Sequence, residues 1–330
     1  MTKLGIIKYN KNIQKKLDIN IVNYKMFSGK YITYDRNGKG KEFNIYDDLL
    51  IFEGEYSNGK RNGKGRELQY DEIFEELNMI FEGEFLNGKR NGKGREINLS
   101  GQIIFEGEYL NGKRHGKGKE FHFVFSNPFI KFIGEYKNGK KFTGKGYKKH
   151  NVCSYELKNG KGYVREYNYF DYILFEGEYI NGEKNGHGKE YYKNQDKLSF
   201  EGIYLNGKKW TGKGYKINKD IAYELKDGRG IIKKYHNSGQ LLSEYEYING
   251  EKNGKAKKFF CNNKLKFEGI YINGKKNGKG KSYYTDGKLH YEGEYLNNMK
   301  NGYGKEYDAK GNLIFEGEYL NDEKRKGKVF

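Results

Sequence analysis

Residues 105–121 read FEGEYLNGKRHGKGKEF. From Gly107 through Gly112-Lys113 the stretch matches the phosphate-gripping loop G-x-x-x-x-G-K-[ST] up to its last letter. The rest of the chain decides between a nucleotide site and another use of the same glycines. The stretch recurs as FEGEYSNGKRNGKGREL from Phe52, FEGEFLNGKRNGKGREI from Phe81 and FIGEYKNGKKFTGKGY from Phe132. Further copies start at Phe175, Phe200, Phe267, Tyr291 and Phe315, and Phe27 opens a weaker one, FSGKY. Phe81 to Phe105, Phe267 to Tyr291 and Tyr291 to Phe315 are steps of 24 residues. In six copies the residue after Gly-Lys is Arg61, Arg90, Arg114, Lys141, Lys209 or Lys276, never the Ser or Thr that would hold magnesium. No helix can follow, because Asn-Gly or His-Gly comes next in most copies. The glycines belong to a repeat.

Phe105, Gly107 and Tyr109 alternate with Glu106 and Glu108. That period is a strand's, with an aromatic face and a charged face. NGKRHG is then a turn and KGKEF a returning strand, so each copy is a β-hairpin. The same structural positions are Phe52, Gly54 and Tyr56; Phe81, Gly83 and Phe85; and Phe175, Gly177 and Tyr179. Phe267, Gly269 and Tyr271; Tyr291, Gly293 and Tyr295; and Phe315, Gly317 and Tyr319 complete the set. The glycine leaves a gap on the aromatic face, which a ring from the neighbouring hairpin is expected to fill. Gly116 and Gly118 are expected to do the same on the return strand. On the other face, Glu106 and Glu108 are expected opposite Lys117 and Lys119.

A longer period lies in the middle. Shortened copies, YELKNGKGYVREY from Tyr155 and YELKDGRGIIKKY from Tyr223, mark a three-hairpin block at 132–199 duplicated at 200–266. Asn159-Gly160 and Asp227-Gly228 suit tight two-residue turns. Ser243 and Tyr245 stand where the pattern wants Phe and Gly. The fold expected is all-β, an elongated single-sheet solenoid of stacked antiparallel β-hairpins over residues 27–330. Thirteen hairpin anchors at strand spacing give a rod on the order of 120 Å long. Residues 1–26 lack the pattern and are read as an N-terminal cap or tail. An open last strand would invite edge-to-edge pairing with another copy.

Composition agrees. Only 35% of residues are hydrophobic but 16% are aromatic, so Tyr and Phe must do most of the burying. The 47 glycines show no three-residue period, which excludes a collagen-like chain. Cys153 and Cys261 form no disulfide or metal spacing, and His115 and His122 lack ligand company, so no metal and no cofactor is expected. The first residues lack a signal sequence, and no apolar run approaches a spanning helix. A cytoplasmic, non-secreted protein is the expectation.

The pattern Tyr/Phe-x-Gly-x-Tyr/Trp-x-x-Gly-x-x-His/Asn-Gly-x-Gly resembles the MORN repeat (membrane occupation and recognition nexus). Residues 109–118 fit it nearly letter for letter, including His115. Most copies have Asn where the family prefers His, as at Asn62, Asn91 and Asn277, and the block from Gly188 is similar to a looser second variety. The resemblance implies a long twisted array of hairpins, non-catalytic, acting as a scaffold or beside another working domain, with a contested affinity for membrane phospholipid.

A protein-interaction scaffold is therefore the leading reading, with other proteins as partners. FHFVFSNPFI, 121–130, holds the lone proline, and Phe123, Phe125, Pro128 and Phe129 form either an exposed patch for a partner or a return strand plus a bent loop with buried rings. The alternative is peripheral binding to acidic phospholipid membranes. It rests on the net charge of +19 and on Lys60-Arg61, Lys89-Arg90, Lys113-Arg114 and Lys208-Lys209, which stacking would align as a basic ridge. Nucleic acid is not an expected partner, because the aromatics are committed to packing. No catalytic constellation stands outside the repeat. The recurring pair Glu106 and Glu108 reads as scaffold, not as an acid–base couple.

Overall fold

A computed structural model describes residues 29–35, 39–45, 47–71, 76–124, 127–193, 195–236 and 238–330. The expected N-terminal cap at 1–26, the start of the copy at Phe27, and Phe125 lie outside the described residues. The chain divides into two units, residues 1–158 and 159–330.

In the first unit the strands are β1 (Lys30–Tyr34), β2 (Lys39–Asn44), β3 (Leu50–Ser57), β4 (Lys60–Asp71), β5 (Glu76–Leu86) and β6 (Lys89–Ile97). They continue as β7 (Ile103–Leu110), β8 (Lys113–Val124), β9 (Asn127–Lys137), β10 (Lys140–Lys148) and β11 (Val152–Leu157). All pair in sequence order in one 11-stranded sheet. The second unit opens with a 6-stranded sheet: β12 (Gly162–Tyr167), β13 (Ile173–Ile180), β14 (Glu183–Tyr191), β15 (Leu198–Leu205), β16 (Lys208–Tyr215) and β17 (Ile221–Leu225). Its 9-stranded sheet begins β18 (Gly230–Tyr235), β19 (Leu241–Ile248), β20 (Glu251–Phe259) and β21 (Leu265–Ile272). It ends β22 (Lys275–Tyr283), β23 (Leu289–Leu296), β24 (Met299–Tyr307), β25 (Leu313–Leu320) and β26 (Glu323–Val329). The antiparallel hairpin array is as the repeat dictates. Its ladder is not one sheet throughout, however, and the interruptions fall at the shortened copies.

Register explains the glycines. Gly107 pairs with Gly118, Gly118 with Gly134, and the row runs from Gly40 to Gly144, one glycine per strand across β2–β10. The second unit repeats the stripe from Gly177 to Gly212 and from Gly269 to Gly327. In the shortened copies Leu225 and Ile232 take the stripe positions, facing Gly212 and Tyr245. Both are buried with Phe200 and Tyr204, and the ladder parts between them, where side chains fill what is elsewhere bare backbone. Asp227 and Gly228 have φ of 50° and 71°, and Lys226 and Arg229 exchange both backbone hydrogen bonds at 2.9 Å. That is the tight two-residue turn expected there.

The core of each unit is a row of rings. Phe52, Phe81, Phe105, Phe132 and Phe200 are completely buried. Here the structure corrects the expectation about which ring fills the glycine gap. Phe105 lies over Gly107 and Gly118 of its own hairpin, and Phe52 over Gly54 and Gly65 likewise. The neighbouring hairpin instead contributes an edge-on ring. Phe81 meets Tyr109 at 5.2 Å and Phe105 meets Tyr136 at 5.1 Å between centroids, both T-shaped. The cause is the two-residue offset along one strand: Phe105 reaches forward over its own Gly107 before any neighbour can. Exceptions are few, such as Gly40, covered by Tyr56. Each buried Phe contributes about 1.5–3 kcal/mol, and each T-shaped pair about 0.5–1.5 kcal/mol more.

Candidate interaction site

Above each Phe ring sits the cation that follows Gly-Lys. The guanidinium of Arg114 stacks 4.0 Å from the Phe105 centroid, Arg90 4.1 Å from Phe81 and Arg61 4.3 Å from Phe52. Lys184 and Lys209 take the same place over Phe175 and Phe200. Each ring is thus held between glycine backbone and a cation. A carboxylate from the return strand completes the layer. Glu96 accepts from Arg114 Nη2 at 2.6 Å and from the Tyr109 hydroxyl at 2.8 Å. Glu67 bridges Arg61 and Arg90. Glu190 bridges Lys184 and Lys209 at 3.2 and 2.8 Å, and Glu306 bridges Lys300 and Lys324 at 2.9 and 2.7 Å. Each acid therefore links the cation of its own hairpin to that of the next.

Burial opposes ionisation of these acids, but the cations outweigh it. Lys141 and Lys131 hold Glu120, Lys209 and Lys184 hold Glu190, and Lys324 and Lys300 hold Glu306, each down at about 2. Burial, with Glu96 alongside, pushes the Tyr109 phenol well above its usual value. This network corrects the picture of a basic ridge at the turns. Arg61, Arg90, Arg114, Lys141 and Lys209 are turned inward, with side-chain exposures of 16–24%, and are paired. Only the first cation of each turn, such as Lys60, Lys89, Lys113 and Lys208, stands exposed.

On the opposite face the two glutamates divide their work. Glu106 faces Lys119 as expected, 3.8 Å apart. Glu108 does not face Lys117 in that hairpin, because the register shifts after Gly107. Its carboxylate instead accepts the Lys117 backbone N–H at 3.0 Å, as Glu84 accepts Lys93 and Glu246 accepts Lys255. Gly116 is thus no ring notch. It sits at φ 81° in the bulge, where a Cβ would strike Glu108. These acids are committed to structure, so they form no free acid–base pair.

The glycine stripe floors an open trough of about 1010 Å³ on this face of the first unit, from Lys39 across to Glu135. Its walls alternate in sign: Glu82 with Arg66 and Arg95, then Glu106 with Lys119. Seven cations and seven carboxylates line it, so the trough is polar but neutral in balance.

The irregular steps are longer hairpins. The β4–β5 pairing runs out to Asp71 opposite Glu76, and β8–β9 to Val124 opposite Asn127. Phe123 faces Pro128 and His122 faces Phe129 across β8–β9. Phe123 and Phe129 are half-buried and Pro128 is exposed. His115 points to the next turn, where its Nδ1 accepts the Asn138 N–H at 3.4 Å. Among the described residues no group of three or more His, Cys, Asp or Glu side chains could hold a metal.

Of the positions singled out from sequence, Phe52, Phe81, Phe105, Phe175, Phe267, Tyr291 and Phe315 are the buried rings over glycine. Phe85, Tyr109, Tyr271, Tyr295 and Tyr319 are the buried edge-on rings, while Tyr56 and Tyr179 are half-buried. The sequence reading missed the cation above each ring and the carboxylate between cations. The fixed spacing from Gly-Lys-Arg to Lys-Gly-Lys-Glu was the available signal.

A family model described as MORN repeat matches residues 52–71, 81–98, 105–121, 175–197, 267–288 and 291–313. No curated protein matches the chain. Among solved structures, one similar chain is from the Tc holotoxin pore of Photorhabdus luminescens, 13% identical, with a TM-score of 0.15. The alignment covers 92% of the present chain, which spans 14% of that protein's length, and nothing further is drawn from it.

Proposed function

With the chain established as a MORN-repeat protein, we propose that it is a non-catalytic scaffold that docks other proteins in the trough of its first unit. MORN repeats serve in general as protein or membrane interaction modules, which is the class this reading refines. The trough carries the proposal. Its floor is backbone, its walls alternate in charge, and its balance of seven against seven suits a polypeptide bearing both signs. An anionic surface would gain little there. The test is capture from the native host with the wild type and with Glu82→Lys plus Glu106→Lys, which tips the balance of the walls from seven against seven to nine cations against five carboxylates. Loss of the wild-type partners, with strand content unchanged by circular dichroism, is expected. Partners retained undiminished by the variant would overturn the trough as the docking site.

A second reading, peripheral attachment to acidic membranes, is favoured by the turn edge. Leu86 and Leu110 are 49% and 44% exposed there, each opposite an exposed lysine, Lys89 and Lys113. An aliphatic side chain beside a cation is the pairing an anionic interface attracts. Vesicle flotation with and without acidic lipid, on the wild type and on Leu86→Ser plus Leu110→Ser, separates the readings. Equal flotation under all four conditions removes the membrane.

A further inference from the structure

The layer of bridging acids is interrupted in the second unit. In the regular rung, Phe175 pairs with Glu190 and Glu190 with Phe200, and Glu190 joins Lys184 to Lys209. One block later, Ser243 pairs with Lys258 and Lys258 with Phe267. Lys258 therefore occupies the register position of the bridging glutamate. The preceding rung is altered in the same way, since Lys234 faces Ser243 where Glu166 faces Phe175. In the following rung Ser282 faces Phe267.

The flanking cations remain in place. Lys252 lies 3.9 Å from the Tyr245 centroid, and Lys276 lies 4.3 Å from Phe267 and 5.0 Å from Tyr295. Among the described residues, no carboxylate bridges Lys252, Lys258 and Lys276. Asp322 acts on Lys276 from a distance, but its Oδ1 is engaged by the Lys300 backbone N–H at 2.7 Å. Burial lowers the pKa of both Lys252 and Lys276; the Lys234 and then the Lys258 charge lower Lys252 further, and the Lys258 charge lowers Lys276. Lys258 thus stands at the register position where the rungs of Glu190 and Glu306 hold an anion, with Lys252 and Lys276 over the flanking rings, and half-burial weakens the screening between them.

We propose that this rung is a binding site for a phosphate-type oxyanion, held by Lys252, Lys258 and Lys276 where the glutamate carboxylate sits in the regular rungs. Compact ammonium groups on flexible stems suit such an anion, and Tyr271, opposite Lys276 in register, is buried edge-on against Tyr245 at 5.3 Å. The site lies on the aromatic face, apart from both the trough and the turn edge. It does not depend on the scaffold reading.

The full-length chain is melted in chloride and in inorganic phosphate at equal ionic strength and pH 7. Phosphate ten-fold above its dissociation constant is expected to raise the second unit's midpoint by roughly 3 °C. Lys258→Glu restores the regular rung, so it should melt higher in chloride and gain nothing from phosphate. No phosphate gain in the wild type, or an equal gain in Lys258→Glu, overturns the proposal. Lys252→Gln plus Lys276→Gln is the control should the charge reversal fold poorly. It should lose the gain, and keeping it in full is equally fatal. Flotation with phosphatidylcholine vesicles containing phosphatidic acid distinguishes the source. Flotation lost in Lys258→Glu supports the site with a lipid phosphate, whereas no flotation with the thermal gain intact supports it with a soluble one.

Discussion

A methyl group at Gly107 would lie 2.6 Å from the Lys117 carbonyl oxygen and 2.7 Å from the Gly118 Cα, with the Phe105 ring at 2.8 Å. Backbone on one side and a clamped ring on the other leave nowhere for it to go. Gly107→Ala should therefore cost about 1–3 kcal/mol, read as a lowered urea midpoint for the first unit. Gly112→Ala meets almost nothing in space but sits at φ 84°, so its cost should stay near 1 kcal/mol. An equal cost at both positions would contradict the ring clamp. The bridging acids predict a pH dependence. Glu120, Glu190 and Glu306 titrate at about 2 when folded, against an ordinary value of 4.5. Their stabilisation is complete above 4.5 and is lost as pH falls from there towards 2. Glu190→Gln should flatten that part of the second unit's stability profile, and an unchanged slope would show that the acid is not held by its lysines. At this scale the faces were legible in the sequence and the partners were not. Alternation assigns Phe105 and Gly107 to one face, but a ring from either hairpin satisfies that pattern. Only the register of β7 with β8 and β9 shows that Phe105 covers its own glycines.

Hairpins stack through their turns as well as their rings. Asn111 and Gly112 both have positive φ, and the Gly112 N–H donates to the Arg90 carbonyl of the preceding hairpin at 2.8 Å. Gly88 donates to Arg61 and Gly139 to Arg114 in the same way, also at 2.8 Å. These loop-tip amides should exchange with deuterium far more slowly than exposed turns do, and rapid exchange would deny the stacking. Asn-Gly in the sequence announced the turn, but not that its glycine would donate to another hairpin. The bond needs only a backbone carbonyl in register, since Gly182 and Gly250 donate in the same way to Gly160 and Gly228 at 2.9 Å. The far edge behaves differently. Most connections there are short turns held by one side chain, as Asp308 accepts from the Lys310 and Asn312 amides at 2.9 and 2.8 Å. In sequence the 121–130 insert reads either as an exposed patch or as a return strand followed by a bent loop. In the structure its flanks pair as an extension of β8–β9, with Pro128 opposite Phe123.

Within each sheet a strand hydrogen-bonds only to its neighbours in sequence order, and its side chains reach no further than the adjoining hairpin, as Phe81 meets Tyr109 and Glu96 meets Arg114. Stability is then close to a sum of nearest-neighbour terms. A lesion such as Gly293→Ala should lower hydrogen-exchange protection most in β23, β24 and the hairpins beside them, leaving β13–β14 nearly unchanged. Uniform loss across the second unit would mean a cooperativity that the contacts do not provide. The net charge of +19 also looks different once the network is traced. The inward cations of the regular rungs are neutralised, so the excess is shared among residues 1–28, with six lysines against one aspartate, the exposed turn lysines and the altered rung around Lys258.

The sharing of each bridging carboxylate between two successive hairpins has a bearing on how such a chain can lengthen. A duplicated 24-residue segment brings its own ring, cation and acid in phase. It can be spliced between existing copies without leaving any charge unmatched at either seam. Unequal crossing-over is therefore a gentle mutation here, and copy number can drift while the rules of assembly stay fixed.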